Sequence, residues 1–169
     1  GVGAVSMTSL VRTALRMRPD RIVLGECRGP EVRDVLTALN TGHEGGWATL
    51  HANSPADVPA RLTALGALAG LDEAAVAAQA ASALDAVVHL RRQDTGAGAR
   101  RYVASIGVLR RKTTPAGTVL VCQEALRVGD DGRPGPGPAA PALRERIGLQ
   151  AFSRLGLGQP DGSGEGRTT

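Results

Sequence analysis

Two rhythms of apolar residues alternate along the first part of the chain. In 6–18, Leu10, Val11, Ala14 and Leu15 fall at helical spacing, Ser6 or Thr8 is placed to cap the start, and Pro19 ends the run. Residues 21–26 (RIVLGE) instead form a short continuous apolar run closed by an acid, which predicts a central parallel strand buried on both faces. In 29–42, Pro30 and Glu31 open a helix, Val32, Val35, Leu36 and Leu39 share a face, and Gly42 stops it. A second strand is predicted over 46–51, ending at His51. Ser54-Pro55 then starts a helix striped by Leu62, Leu65 and Leu68, and Asp72-Glu73 caps an Ala-rich helix reaching Ala83.

Helices and strands that alternate in this way predict a parallel sheet with helices packed on it. Right-handed crossovers bring the C-terminal ends of both strands to one edge, where ligands bind in open α/β sheets. Glu26 and His51 occupy those two ends, so they converge although 25 residues apart. The pattern then changes. Residues 85–92, 100–111 and 118–128 read as extended segments separated by the turn signals DTGAG and TTPAG, an antiparallel meander closing a domain of residues 1–128. His89, alone among aliphatics, reads as a strand-face residue rather than a ligand. From Gly129 to Thr169 ten Gly and five Pro predict a disordered tail, with 142–157 a weak helix that would dock on a partner.

Composition narrows the function classes. With aromatics at 2%, the core must be aliphatic. No apolar run approaches the ~20 residues that span a bilayer, and the opening GVGAVSMTSL is no signal peptide. Met7 is the first methionine, so the chain reads as a piece of a longer protein or a gene model started in the wrong place. The net charge of +4 and a pI near 10 raise the question of nucleic acid. Yet Lys112 is the only lysine among twenty basic residues, and the pairs Arg91/Arg92, Arg100/Arg101 and Arg110/Arg111 have only Tyr102 among them to stack on a base. A solvated basic edge is the better reading; a surface for a membrane or an acidic partner stays open. Cys27 and Cys122, far apart and outside any CxxC, read as small core residues in a reducing cytoplasm.

The chemistry-bearing residues allow competing readings. An acid closing an apolar strand presents a carboxylate to Mg²⁺ and water in nucleotide hydrolases. Alternatively, Glu26 accepts backbone N–H groups of the Gly29-Pro30 turn, or pairs with Arg28. His51 at the neighbouring strand end can donate to a phosphate oxygen. His43, just past a helix, suits that helix's negative end as well as a ligand. A metal held by His43, Glu44 and His51 fits no standard spacing. Ser54, His51 and Asp57 lack a GxSxG elbow, and Ser54 before Pro55 is better read as a cap. Cys27 with a histidine could form a thiol pair, but nothing requires it.

Taken together, LRMRPDRIVLGECRG and TGHEGGWATLHANS resemble the Walker B region and histidine box of the type II/IV secretion-system ATPases, and most of all the subgroup driving tight-adherence (Flp-type) pilus assembly. The resemblance is close over about residues 1–90, loose over 91–128 and absent beyond. It implies an α/β fold, part of a RecA-like P-loop NTPase domain, followed by the meander and tail. It further implies a cytoplasmic homo-hexamer, peripheral at the inner face of the cell membrane, that hydrolyses ATP with Mg²⁺ and works on an inner-membrane platform protein, with no nucleic-acid partner. By the same resemblance Glu26 is the Walker B glutamate holding Mg²⁺ through water and the attacking water, and His51 senses the γ-phosphate. Arg12 and Arg16 make phosphate or inter-subunit contacts, Arg28 braces Glu26, and Thr49 and Asn53 complete the histidine box.

One departure matters. No GxxxxGK[ST] occurs, so the phosphate-cradling loop and its lysine are missing, as are the family's acidic strand motif and N-terminal domain. The chain is therefore expected not to turn over ATP by itself, and to expose an apolar sheet edge that makes it unstable alone. Two other readings remain: a short, non-catalytic, ATPase-derived interaction module, and a nucleic-acid binder suggested by pI alone.

Overall fold

The computed structural model describes residues 3–43, 45–96 and 98–157. Two parts share the chain. In the first, α1 (Met7–Arg16), β1 (Val23–Leu24), α2 (Val32–Asn40) and β2 (Trp47–Ala48) lead through a 3-10 turn (Pro55–Asp57) into α3 (Val58–Leu68) and α4 (Glu73–Ala83). In the second, β3 (Val87–Thr95), β4 (Gly98–Thr114), β5 (Gly117–Val128) and β6 (Pro134–Pro136) form an antiparallel sheet in that order, followed by α5 (Ala140–Ile147) and α6 (Leu149–Ser153).

The caps read from sequence close the helices. The Ser6 side chain accepts from the Ser9 N–H at 3.2 Å, and Asp72 accepts from Ala75 N–H at 2.7 Å. Gly42, at φ +99°, takes the chain out of α2 in a conformation that disfavours any Cβ. Thr41 rather than His43 closes that helix: its N–H donates to Ala38 O and its hydroxyl to Thr37 O. His43 makes no such bond, and its Nδ1 is buried without a hydrogen-bond partner.

β1 and β2 are parallel, Val23 opposite Trp47 and Leu24 opposite Ala48. Backbone bonds extend the pairing from Ile22, whose carbonyl accepts from Trp47 N–H, to Cys27, whose N–H reaches Thr49 O at 2.7 Å. This strand is not buried on both faces. Leu24 points into the core, whereas Val23 and Trp47 remain 74% and 62% exposed, because the core that takes up Leu24 lies on one side of the pair. Leu68 is likewise exposed; the buried stripe of α3 is Val58, Leu62 and Leu65.

The sheet carries two cores. Leu109 and Leu120 join the helical core of Val35, Leu36, Leu65 and Val76. Ile106, Val108, Ala125 and Leu126 form another with Leu143 and Phe152. Here the structure corrects the expectation of a disordered 129–169: through Leu157 the chain is folded, with β6 paired to β5 and α5–α6 buried on the sheet. Glycine and proline did not prevent this, because Ala139, Ala140, Ala142 and Leu143 form one continuous buried patch. Arg146 adds a clamp, donating to the carbonyls of Leu84, Ala81 and Leu109 at 2.7–3.2 Å and so tying α5 to the end of α4 and to β4. The remainder of the expected tail, 158–169, lies outside the described residues.

Candidate functional site

Where β1 and β2 run out, their continuations stay side by side. Thr49 N–H donates to Leu24 O at 3.3 Å, and the Thr49 hydroxyl donates to Gly25 O. That spacing sets Glu26 and His51 facing one another: His51 Nε2 lies 3.0 Å from Glu26 Oε1. The Arg28 guanidinium binds the same oxygen. Glu26 is half-buried, while the His51 and Arg28 side chains are 82% and 71% exposed. The site is thus a carboxylate set into the sheet edge beneath two solvent-facing side chains.

Electrostatics keep that carboxylate ionised. The Arg28 hydrogen bond holds the Glu26 carboxyl below the usual glutamate range; burial opposes it, and the charges of Arg28, His51 and Arg61 add to it. Arg61 was not singled out from sequence. It follows Asp57 by one helical turn on α3 and borders, with His51 and Asn53, a cleft of about 430 Å³ beside the imidazole. Only its place in α3, whose start was legible at Ser54-Pro55, could have pointed to it.

The second residue that sequence reasoning underused is Glu31. One sequence reading had Glu26 accepting the N–H groups of the Gly29-Pro30 turn. In the structure Glu31 does so, taking Arg28 N–H at 2.7 Å and Gly29 N–H at 2.9 Å while 5% exposed. Burial raises its pKa, yet the backbone N–H groups of Arg28, Glu31 and Gly29 outweigh burial and hold it below the ordinary value. Gly29 permits the close approach, since a Cβ there would lie 2.9 Å from Glu31 Oε2. Glu31 therefore shapes the turn that carries Arg28 back to Glu26.

The other expected residues fall in different places. Arg12 is committed elsewhere: its Nε donates to Asp34 at 3.0 Å, joining α1 to α2. Arg16, at the end of α1, has no ion-pair partner among the described residues. Asn53 is exposed and borders the His51 cleft. Ser54 donates to Asp57 at 2.7 Å, which fixes the 3-10 turn and leaves no serine aligned on His51. Burial pushes the Cys27 thiol up to about 11, with Glu31 adding to the shift, so a Cys27 thiolate does not form near neutral pH. Cys122, in β5, is raised to about 11 by burial alone. Glu44 lies outside the described residues, and no group of three His, Cys, Asp or Glu among the described residues could hold a metal.

Three comparisons show what the chain is similar to. The model of the type II/IV secretion system protein family matches residues 1–135. A Mycobacterium tuberculosis protein named for conjugal transfer is 53% identical over 131 residues, covering 78% of this chain and 36% of that protein. The type IV secretion system protein PtlH of Bordetella pertussis is 43% identical over 107 residues, covering 61% of this chain and 31% of its own length. Among solved structures, the VirB11 ATPase of the Brucella suis type IV secretion system, in complex with sulphate, aligns with 60% of this chain and 31% of its own at 26% identity and TM-score 0.49, a partial likeness only. The chain thus spans about a third of the length of these relatives. It is a member of the type II/IV secretion system protein family.

Proposed function

We propose that this chain is the C-terminal part of a secretion-family ATPase, contributing one wall of an ATP site in a RecA-like domain. The observation that carries the reading is the meeting of Glu26 and His51, 3.0 Å apart at the adjoining ends of two parallel strands. In this reading the stretch around β1 is the Walker B region and that around β2 the histidine box. Glu26, kept anionic by Arg28, orients the attacking water, and His51 donates to a γ-phosphate oxygen. Arg28 and His51 both bind the Glu26 carboxylate, which holds the acid and the imidazole in one place. Thr49 keeps the strand ends in step through Gly25 O, and Asn53 lines the cleft. Arg16 is the arginine left available for phosphate or a neighbouring subunit, Arg12 being held by Asp34.

Mg²⁺, when bound with ATP, would neutralise phosphate charge. This chain offers it one carboxylate, Glu26, through water, which suits an ion carried largely by phosphate and water. The assembly proposed is a homo-hexamer in the cytoplasm at the inner face of the membrane, acting on a platform protein, with tight-adherence pilus assembly as the subgroup. No helix among the described residues is long and apolar enough to cross a membrane.

Because the sequence holds no GxxxxGK[ST], the 169-residue chain by itself is proposed to be inactive. Translating the DNA upstream in the same frame tests this. A P-loop and an acidic strand motif within a few hundred codons support the ATPase reading. A stop codon without them transfers the proposal to the non-catalytic interaction module.

A further inference from the structure

Among the described residues β3 is the outer strand of the antiparallel sheet, with β4 its only strand partner. Among the described residues, no backbone group of Val87–Asp94 bonds outside that pairing. An unpaired edge of this length is a template for another strand; Arg91, Arg92 and the register shift after His89 discourage pairing with a strand of like charge and leave it open to an acidic one. The two faces of β3 differ in kind. His89, Arg91 and Gln93 line a groove of about 1130 Å³, where β4 sets Tyr102 opposite Arg91 and Arg100 opposite Gln93. Neither Arg91 nor Arg100 has an ion-pair partner among the described residues, whereas Arg127 in the same groove is already paired with Glu124 at 2.8 Å. The remaining acids of the groove, Asp130 and Asp131, follow β5, two strands away from β3. On the reverse face Val88, Leu90 and the cross-strand Val103 are 36%, 59% and 37% exposed.

We propose that the β3 edge docks an extended segment of a partner protein, which adds to the sheet as a fifth strand and alternates acidic with apolar side chains. Main-chain bonds to β3 would supply affinity, and the alternation would supply selectivity. Acidic residues would fall on the groove side against Arg91, Arg100 and His89, and apolar ones would cover Val88 and Leu90. A second copy is the simplest alternative occupant, and antiparallel pairing of β3 with β3 centred on Arg91 or Arg92 is disfavoured because it sets like charges opposite each other. Residues 158–169, GQPDGSGEGRTT, bring Asp161 and Glu165 but no apolar residue for the reverse face. The contacts proposed here are made by His89, Val88, Leu90, Arg91 and Arg100 rather than by Glu26 or His51, although Asn53 borders both clefts.

A capped, fluorescein-labelled nonapeptide alternating Glu and Val tests the proposal by anisotropy against the 169-residue chain, beside its Lys/Val counterpart and a single-stranded oligonucleotide. The acidic peptide should bind at least roughly tenfold more tightly than the basic one, weaken in high salt, and slow hydrogen exchange of the β3 amides. Arg91→Glu with Arg100→Glu should lower acidic-peptide affinity about tenfold and raise that of the Lys/Val peptide, a gain that simple unfolding cannot give. If that variant loses its far-UV CD melt, Val88→Ser with Leu90→Ser, on the other face, should weaken binding of the acidic peptide several-fold, and unchanged binding would overturn the proposal. Equal binding of both peptides, unchanged β3 exchange, or preference for the oligonucleotide would overturn the proposal.

Discussion

The two sheets of this chain are built to different standards. The parallel pair carrying Glu26 and His51 has two-residue strands, covered on one face and open on the other at Val23 and Trp47. The antiparallel sheet has strands of up to 17 residues, ends in its own helices, and reaches into both cores. The contrast teaches that chemistry and self-sufficiency are separated here. The antiparallel part carries most of the strand pairing and joins both cores, while the strands that present Glu26 and His51 owe their placement to the helices packed beside them.

Matched core truncations break this comparison most sharply. Leu65→Ala and Leu143→Ala, both essentially fully buried, should each cost about 2–5 kcal/mol in chemical denaturation. A cost near zero at Leu143 would return residues 129–157 to the disordered tail expected from composition. Arg146→Met comes next: removing a donor to three carbonyls should cost about 1–3 kcal/mol by the same measurement and loosen α5 from α4. Glu31 gives a smaller, pH-linked effect. Its folded pKa is depressed, so its contribution is fully present above the ordinary glutamate range and is lost as pH falls through the folded value. Glu31→Gln should flatten the acid limb of the stability–pH curve, and an unchanged limb would remove Glu31 from the account. Smallest of all, Val23→Thr should change the stability of this chain by no more than about 0.5 kcal/mol, since Val23 is exposed. A much larger loss in a longer parent would identify that face as covered there.

The sequence was most legible where local chemistry decides. Ser6, Asp72 and Gly42 act as their residue types dictate, and the acid and the imidazole closing two apolar runs do lie together. It was less legible where tertiary coverage decides. Nothing in RIVLGE says that Val23 faces solvent and Leu24 the core, because a run of apolar residues reads alike with one covered face or two. Arg12 and Arg16, one helical turn apart, were equal candidates until Asp34 of α2 claimed Arg12. Glu31 looked like a helix-start acid, and only the fold of the Arg28–Gly29 turn reveals its two backbone donors. Residues 129–157 were obscured by composition: a helix of small residues needs the waiting face of β4 and β5, a tertiary contact that Gly and Pro content does not reveal.

The most direct test of the central claim is Glu26→Gln in the longest protein that carries this sequence together with a P-loop, with ATP turnover and nucleotide affinity measured side by side. The account predicts that turnover falls by roughly 100-fold or more while affinity stays within about threefold, as expected of a group acting on the water rather than holding the nucleotide. Near-normal turnover in that variant would contradict the account, leaving Glu26 as a structural partner of Arg28 and His51.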